Sequence, residues 1–405
     1  MIRVITNNQV LADAIVPAKK KLGQTHFRVA ATDLPAGDFR GRVIESVEEA
    51  IELIPSWERL LDVAIAPNPF FAPNFLLPAM QHLGGTGVSL LVIESSQRNK
   101  SNTGSVLCGL FPIVRKKLYG IPLPTLEIWK HDQCYDCTPL IRNDCKKDVW
   151  DFILKFISED LKTSLFSMNT VSGEGEFLNL LTENGFDNGR TVFQRDAFTR
   201  ACFKPLEDEE TFLMTNVAKS TRKGTARTRR KLEKRGVLET DFLYEYTPEI
   251  VQQFLELEAS GWKGEGGTAL KSQTETQLFL DGMLRRSMPQ GNATVVRISL
   301  DARPIAMLVV LQQGRKAAQF KIAFDEQLKE FSPGTMVEFD EVSRMFADEI
   351  EFSDSCADPN HSMINRVWSD RVRFQSLVIA SNKVLPRLAV SLMPVIQQAK
   401  FLFSK

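Results

Sequence analysis

The segment from Lys316 to Phe346 restricts the fold of this chain more than any other, because it reads as strand, turn and helix in direct succession: KAAQFKIAFDE, QLKEFSPG, TMVEFDEVSRMF. In the strand, Gln319, Lys321 and Ala323 alternate with Phe320, Ile322 and Phe324, which predicts one less apolar face and one apolar face. Ser332 stands where a helix cap belongs, and Pro333 suits a first helical turn, whose N–H groups go unpaired in any case. Phe339, Val342 and Phe346 then supply an apolar stripe. Two more strands precede this segment, ATVVRISL (293–300) and RPIAMLVVLQ (303–312), joined by a tight Asp301-Ala302 turn, and a short strand EIEFSD follows it.

The chain has 405 residues, so two domains of about 200 residues each are expected. The first half has the same order of elements: a helical stretch at Val47–Leu61, strands at Val88–Ile93 and Ser105–Ile113 joined across the polar loop 95–104, and a third run at Thr125–Trp129. A helix follows with Val149, Ile153 and Ile157 at helical spacing, then the strand Leu165–Val171, the helix FLNLLTENG and a strand ending at Phe203. The second half opens on the helix TPEIVQQFLELEASGW, with Ile250, Phe254 and Leu257 on one face and Thr247 as its cap. The expected class is therefore α+β, with two similar units, 1–203 and 204–375, each a mixed, mostly antiparallel sheet flanked by helices, and an apolar helical tail at 376–405.

Fifty Lys+Arg balance fifty Asp+Glu, so no global field draws DNA or an anionic membrane to the whole chain. One local exception is Lys219–Arg235, KSTRKGTARTRRKLEKR, with Glu233 as its one acid. It lacks interleaved aromatics, and it reads as a solvated helix face that adds electrostatic steering; a grip on tRNA is the alternative. No stretch reaches the ~18 apolar residues that span a bilayer, and the N-terminus has no secretory pattern. The expectation is a cytoplasmic protein whose six cysteines are mostly reduced thiols. The tail VLPRLAVSLMPVIQQAKFLFSK is apolar on one side; it reads as a helix packed on its own domain, with a peripheral inner-membrane contact as the alternative.

A strand that runs into a Gly-bearing helix start gathers free N–H groups at a positive dipole end, which suits a diphosphate such as that of coenzyme A. Ser332, Pro333, Gly334 and Thr335 are the candidate cofactor-binding residues, with Gly334 leaving the backbone open to the ligand. A plain capping motif is the bland alternative.

The order of these motifs resembles the CelD/BcsL-type acetyltransferases of the Gcn5-related (GNAT) superfamily, which are related to the FemAB peptidyltransferases. The residues that carry the resemblance are KLEKRG, LELEASGWKGEGGTAL, FKIAFDE, the SPG turn with its helix, and FSDSCADPNHSMINRVWSDRVRF. In the first half, NPFFAPNFLLPAMQHL and CGLFPIVRKKLYGIPLPTLEIW add to it. The resemblance implies tandem GNAT-like folds, the first degenerate, and an acyl-CoA-dependent N-acyltransferase, with acetyl-CoA as co-substrate and an amino sugar or other small amine of polysaccharide or envelope metabolism as acceptor. Two other functions stay open: a FemAB-like aminoacyl-tRNA-dependent transferase, and a catalytically silent accessory protein of polysaccharide machinery. The chain departs from the superfamily's phosphate loop, offering FSPGT where a Gln or Arg before two glycines is usual.

N-acyl transfer needs a proton acceptor for the amine and stabilisation of an oxyanion, which in this superfamily comes from a backbone N–H on a bulged strand. Glu258, Lys321 and Asp325 are the candidate catalytic residues, against a solvated helix face for Glu258, a surface lysine, and turn capping by Asp325. Trp262, Lys263, Asp354, Trp368 and Arg371 are the candidate acceptor-binding residues; core packing is the alternative for both tryptophans. His131, Cys134, Cys137 and Cys145 lack the second close pair of a zinc site, so no metal is expected.

Overall fold

The computed structural model describes residues 2–3, 39–84, 87–96, 105–118, 122–185, 190–261, 264 and 266–403. The first half contributes β1 (Ile2–Arg3), β2 (Phe39–Ile44), α1 (Val47–Glu52), α2 (Ile54–Val63), α3 (Pro73–His82), β3 (Val88–Ser96), β4 (Ser105–Lys116), β5 (Thr125–Ile128), β6 (Leu140–Ile141), α4 (Lys146–Glu159), β7 (Leu165–Ser172), α5 (Gly175–Gly185) and β8 (Val192–Phe203). The second contributes α6 (Glu209–Asn216), α7 (Lys219–Glu233), β9 (Leu238–Leu243), α8 (Pro248–Ala259), α9 (Thr274–Ser287), β10 (Ala293–Leu300), β11 (Arg303–Gln313), β12 (Lys316–Phe324), α10 (Pro333–Ala347), β13 (Phe352–Asp354), β14 (Asp370–Ala380) and α11 (Val384–Phe403). The class is mixed α+β, as expected. The helical stretch at 47–61 is two helices rather than one, because Pro55 in the first turn of α2 lacks an N–H with which to continue α1. Of the loop read at 95–104, Ser95 and Ser96 belong to β3 and residues 97–104 lie outside the described residues; Ser96 and Ser105 face each other in an antiparallel pair.

A single sheet runs through both halves in the order β1-β9-β10-β11-β12-β13-β8-β14-β7-β5-β4-β3-β2. From the outside inward, each half supplies four antiparallel strands and then one parallel partner: β2-β3-β4-β5 with β7 parallel to β5, and β9-β10-β11-β12 with β13 parallel to β12. The next strand comes from the other half. β14 pairs with β7, β8 pairs with β13, and β8 and β14 pair with each other along their length. Each half thus donates its last strand to its neighbour. Residues 375 and 376 both lie within β14, so the apolar tail read from 376 begins in this shared strand and its helix starts at Val384.

Local chemistry explains the elements around the site. Asp301 and Ala302 have φ of 49° and 63°, the paired positive values of a turn whose twist matches the strands it joins. Val149, Ile153 and Ile157 of α4 are buried, as their spacing predicts. In α10 the buried face differs from the stripe read from sequence: Val342 is buried but Phe339 and Phe346 are half-buried, while Met336, Val337, Glu338, Glu341, Arg344 and Met345 are enclosed. Glu341 and Arg344 satisfy one another there through two hydrogen bonds of 2.7 Å. The halves meet at an aromatic cluster in which Phe75 of α3 lies edge-on to Phe279 of α9 and Phe320 of β12, with ring centroids 5.2 and 5.8 Å apart.

Candidate active site

β12 and β13 pair only at Lys316↔Phe352, Ala317↔Ser353 and Ala318↔Asp354, and then separate. At the same place β12 changes register on its other side: Val309 opposes Lys321 while Val310 opposes Gln319, leaving Phe320 as the extra residue of a β-bulge. The bulge overturns the facing read from simple alternation. Gln319 turns towards α10, where its amide donates to Glu338 Oε2 at 2.6 Å, whereas Lys321 shares the opposite face with Phe320 and brings Nζ within 3.9 Å of Glu258 Oε1.

Two cavities meet at this bulge. One of about 220 Å³ lies in the opening between the separated strands, bounded by Gln319–Ile322, Glu338 of α10, Tyr135 of the first half, and the loop containing Ser355–Ala357, His361 and Met363. The other, of about 620 Å³, is bounded by His82 of α3, His131–Gln133, Gly267–Leu270, Gln273, Glu275 and Thr276. Lys321 lines both.

The first half therefore builds part of the second half's site. Its loop from Lys130 to Thr138 is pinned by Asn68, whose amide donates to the carbonyls of Asp136 and Thr138 at 3.0 and 2.9 Å. Arg200 of β8 donates to the Tyr135 carbonyl at 2.8 Å, and Cys137 N–H donates to the Thr170 carbonyl at 2.9 Å. The loop lies along β7, while His131–Gln133 face the larger cavity and Tyr135 the smaller. Gln133, Tyr135, Gln319 and Glu338 were not singled out as site residues from sequence, and His131 was weighed only as a metal ligand. For Glu338 a signal was available: it follows Gly334 by four residues and precedes Val342 by four, on a helix stripe that is otherwise buried.

Burial sets the proton states here. Enclosure in an apolar setting pushes the Glu338 carboxyl up to about 8, aided by the nearby Glu341 charge and opposed by the Gln319 hydrogen bond. Burial lowers His131 to about 4, so at neutral pH it is an uncharged imidazole, whose Nδ1 accepts the Gln133 N–H at 3.3 Å. Tyr135 and Cys356 are pushed upwards, chiefly by burial, and stay protonated.

Glu258 is not on a solvated face: it is 3% exposed and accepts the Leu270 N–H at 2.8 Å. Asp325 caps the turn Glu326–Phe331 by accepting the Gln327 N–H at 2.9 Å, receives Arg303 at 2.6 Å, and is not among the residues bounding either cavity. Ser332 occupies the cap position of α10 with φ of 56°, but its side chain makes no capping bond because the left-handed backbone turns it outward; Ser332 is exposed and Thr335 half-buried. Pro333 and Gly334 are buried, and the expected open backbone at Gly334 is covered. A Cβ there would lie 2.8 Å from Met363 Sδ and 3.0 Å from the Phe324 ring, so the glycine is required by packing. A glutamate at this position would strike both side chains whether or not a ligand binds.

Asp354 is buried in a two-bond pair with Arg200, at 2.5 and 2.7 Å, beside a separate cavity of about 370 Å³ between the halves. Trp368 is fully buried in the core of the second half, with its ring 6.1 Å from that of Phe203. Arg371 is exposed and donates to the carbonyls of Trp368, Ser369 and Asp370, each at 2.9 Å. Trp262 and Lys263 lie outside the described residues. Cys134 and Cys137 are buried with sulfurs 3.6 Å apart, whereas His131 faces the larger cavity.

Residues 219–360 match the family model described as an acetyltransferase (GNAT) domain. No curated protein matches the chain. Among solved structures, the chain resembles FemX with a TM-score of 0.55 at 11% identity, over 83% of this chain and 98% of that one. It also resembles the C-terminal domain of a putative lysylphosphatidylglycerol synthetase from Agrobacterium fabrum, with a TM-score of 0.51 at 11% identity, over 85% and 96% of the two chains. A conserved protein of unknown function from Bacteroides thetaiotaomicron gives 0.52 at 11% identity, over 81% and 97%. At such identities the likeness establishes the fold. Together with the match over 219–360 it gives a chain of GNAT/FemX-like fold with a GNAT-type domain at 219–360.

Proposed function

We propose that the protein is an N-acyltransferase that moves an acyl group, acetyl in the simplest case, from coenzyme A to the amine of an amino sugar or similar small molecule in the cytoplasm. The observation that carries this reading is the bulge at Phe320. It opens β12 from β13, leaves backbone polar groups of the strand beside the 220 Å³ cavity, and sets Lys321 where that cavity meets the larger one. The acyl thioester enters between the strands. The amine enters through the larger cavity, whose Asp132, Gln273, Glu275 and Thr276 suit a hydroxylated cation.

The amine attacks the thioester carbonyl, a C–N bond forms and the C–S bond breaks. The bulged backbone N–H and the Lys321 ammonium stabilise the oxyanion, Glu258 holds Lys321 in place from behind, and the proton that the amine loses passes to the departing thiolate. Ser332, exposed, and Thr335, half-buried, are the residues of the α10 start offered to the diphosphate; Met363, a flexible thioether, must move before a ligand can approach Gly334 from its Cβ side. The resemblance to CelD/BcsL-type enzymes supports an acceptor from polysaccharide metabolism. The test is thiol release from acetyl-CoA across a panel of amino sugars and small amines: acceptor-dependent release carries the proposal, and none with any acyl chain length ends it.

A second reading, a donor carried on tRNA, is favoured by two observations. The diphosphate turn is covered at Gly334, and Lys219, Lys223, Arg227 and Arg230 of α7, with Lys234 at its C-cap, form one exposed row at steps of three and four residues. Filter binding of tRNA across a salt series tests it, because phosphate contacts give a steep decline with salt and their absence gives no retention.

A further inference from the structure

We propose that α11 lies in the headgroup layer of an anionic lipid bilayer, apolar stripe inward, and so fixes the enzyme to a membrane surface. The helix uses one side to dock on its own chain. Val390 and Met393 are buried against Leu118, Leu165, Val378 and Ala380, with Pro386 enclosed on the same side. The opposite side carries Val384, Leu385, Leu388, Leu392 and Val395, which are 84, 65, 55, 48 and 63% exposed. Their steps of one, three, four and three residues place them within about 100° of one another at the helical 3.6 residues per turn, so they form one stripe. Soluble chains rarely leave so many aliphatic side chains together in water.

Charge selects the occupant. Residues 371–405 hold six Lys or Arg and no Asp or Glu. Lys383 and Arg387 are both exposed, and helical geometry puts them on one flank between the buried and exposed sides. Lys117, next to Leu118 of the docking cluster, is exposed as well. A second copy of the chain set against the stripe brings these cations towards their equivalents with no acid on the segment to offset them. Anionic headgroups offset them directly. Among the described residues no helix is long and apolar enough to cross a membrane, so the stripe fits an in-plane contact.

The test is co-sedimentation of the full chain with vesicles of phosphatidylcholine alone and of phosphatidylcholine with an equal part of phosphatidylglycerol. Binding to the anionic vesicles is expected to weaken with added salt and to fall by about tenfold or more in Leu388→Glu/Leu392→Glu, whose side chains lie on the solvent side of the helix, away from the docking cluster, and so leave the thermal midpoint close to that of the parent. Lys383→Gln/Arg387→Gln should weaken it less. Failure to bind anionic vesicles, or equal binding by the leucine variant, overturns the proposal. So does a concentration-dependent dimer in sedimentation velocity that Leu388→Glu/Leu392→Glu abolishes, since the stripe then belongs to a second copy. Thiol release is scored separately in detergent-free solution, so loss of the membrane contact and loss of transferase activity are distinguishable.

Discussion

Gln319 and Lys321 sit on the same strand two residues apart, yet they serve opposite sides of the sheet: Gln319 donates to Glu338 at 2.6 Å, and Lys321 reaches to 3.9 Å from Glu258. A regular strand keeps residues i and i+2 on one face. The bulge at Phe320 breaks that rule, and by breaking it sets Gln319 on the wall of the smaller cavity and Lys321 where the two cavities meet.

The Lys321–Glu258 relationship separates chemistry from stability. Lys321→Met should lower the rate of acyl transfer by about 10²-fold or more, as removal of an oxyanion partner does elsewhere. It should also destabilise the fold, because Glu258 is left as a buried carboxylate. Adding Glu258→Gln should restore the thermal midpoint without restoring the rate. A double variant that recovers both would assign Lys321 to packing alone.

Glu338 gives a pH signature. Its folded value of about 8 lies above the ordinary 4.5, so the native state holds a proton that the unfolded chain releases. Its contribution is present in full below about pH 4.5, falls as pH rises towards 8, and levels off beyond. Asp136, raised by burial to about 6, adds a fall of the same sign over a lower window. Chemical denaturation of Glu338→Gln from pH 5 to 9 should show a flatter profile than the parent; an unchanged slope contradicts the assignment.

Much of the framework was legible locally. The strand, SPG turn and helix of 316–347, the Asp301-Ala302 turn and the amphipathic α4 all rest on contacts between near neighbours in sequence. The site was less legible because it depends on distant partners. The bulge at Phe320 exists only against β11, Gly334 is closed by Met363 from beyond both α10 and β13, and Glu258 is buried by the segment around Leu270. The contribution of His131–Tyr135 to a site in the other half, and the exchange of β8 and β14, are tertiary facts that no run of residues records.

The Arg200–Asp354 pair should be structural first. It joins β8 to the end of β13, Arg200 also holds the Tyr135 carbonyl, and its guanidinium stacks 4.1 Å from the centre of the Phe374 ring. Arg200→Ala or Asp354→Ala should each cost about 3–5 kcal/mol in urea unfolding, since each leaves the other charge buried alone. A loss below about 1 kcal/mol, the range of an exposed pair, contradicts this placement.

Met363 should act as the cover of the α10 start. Met363→Ala removes the side chain nearest to Gly334, and affinity for desacyl coenzyme A should rise several-fold relative to the parent, measured by competition against acetyl-CoA. A fall in affinity identifies the thioether as part of the binding surface instead.

The central claim is that the opening between β12 and β13 receives the acyl donor, and calorimetric titration with acetyl-CoA of the parent and of Ala357→Trp tests it most directly. Ala357 is half-buried on the wall of the 220 Å³ cavity, so an indole there fills the opening while leaving Lys321, Glu258 and Glu338 in place. The account predicts saturable binding to the parent and its loss in the variant with the thermal midpoint retained. Absence of binding to acetyl-CoA and longer acyl-CoAs, or binding that the tryptophan leaves intact, would contradict it.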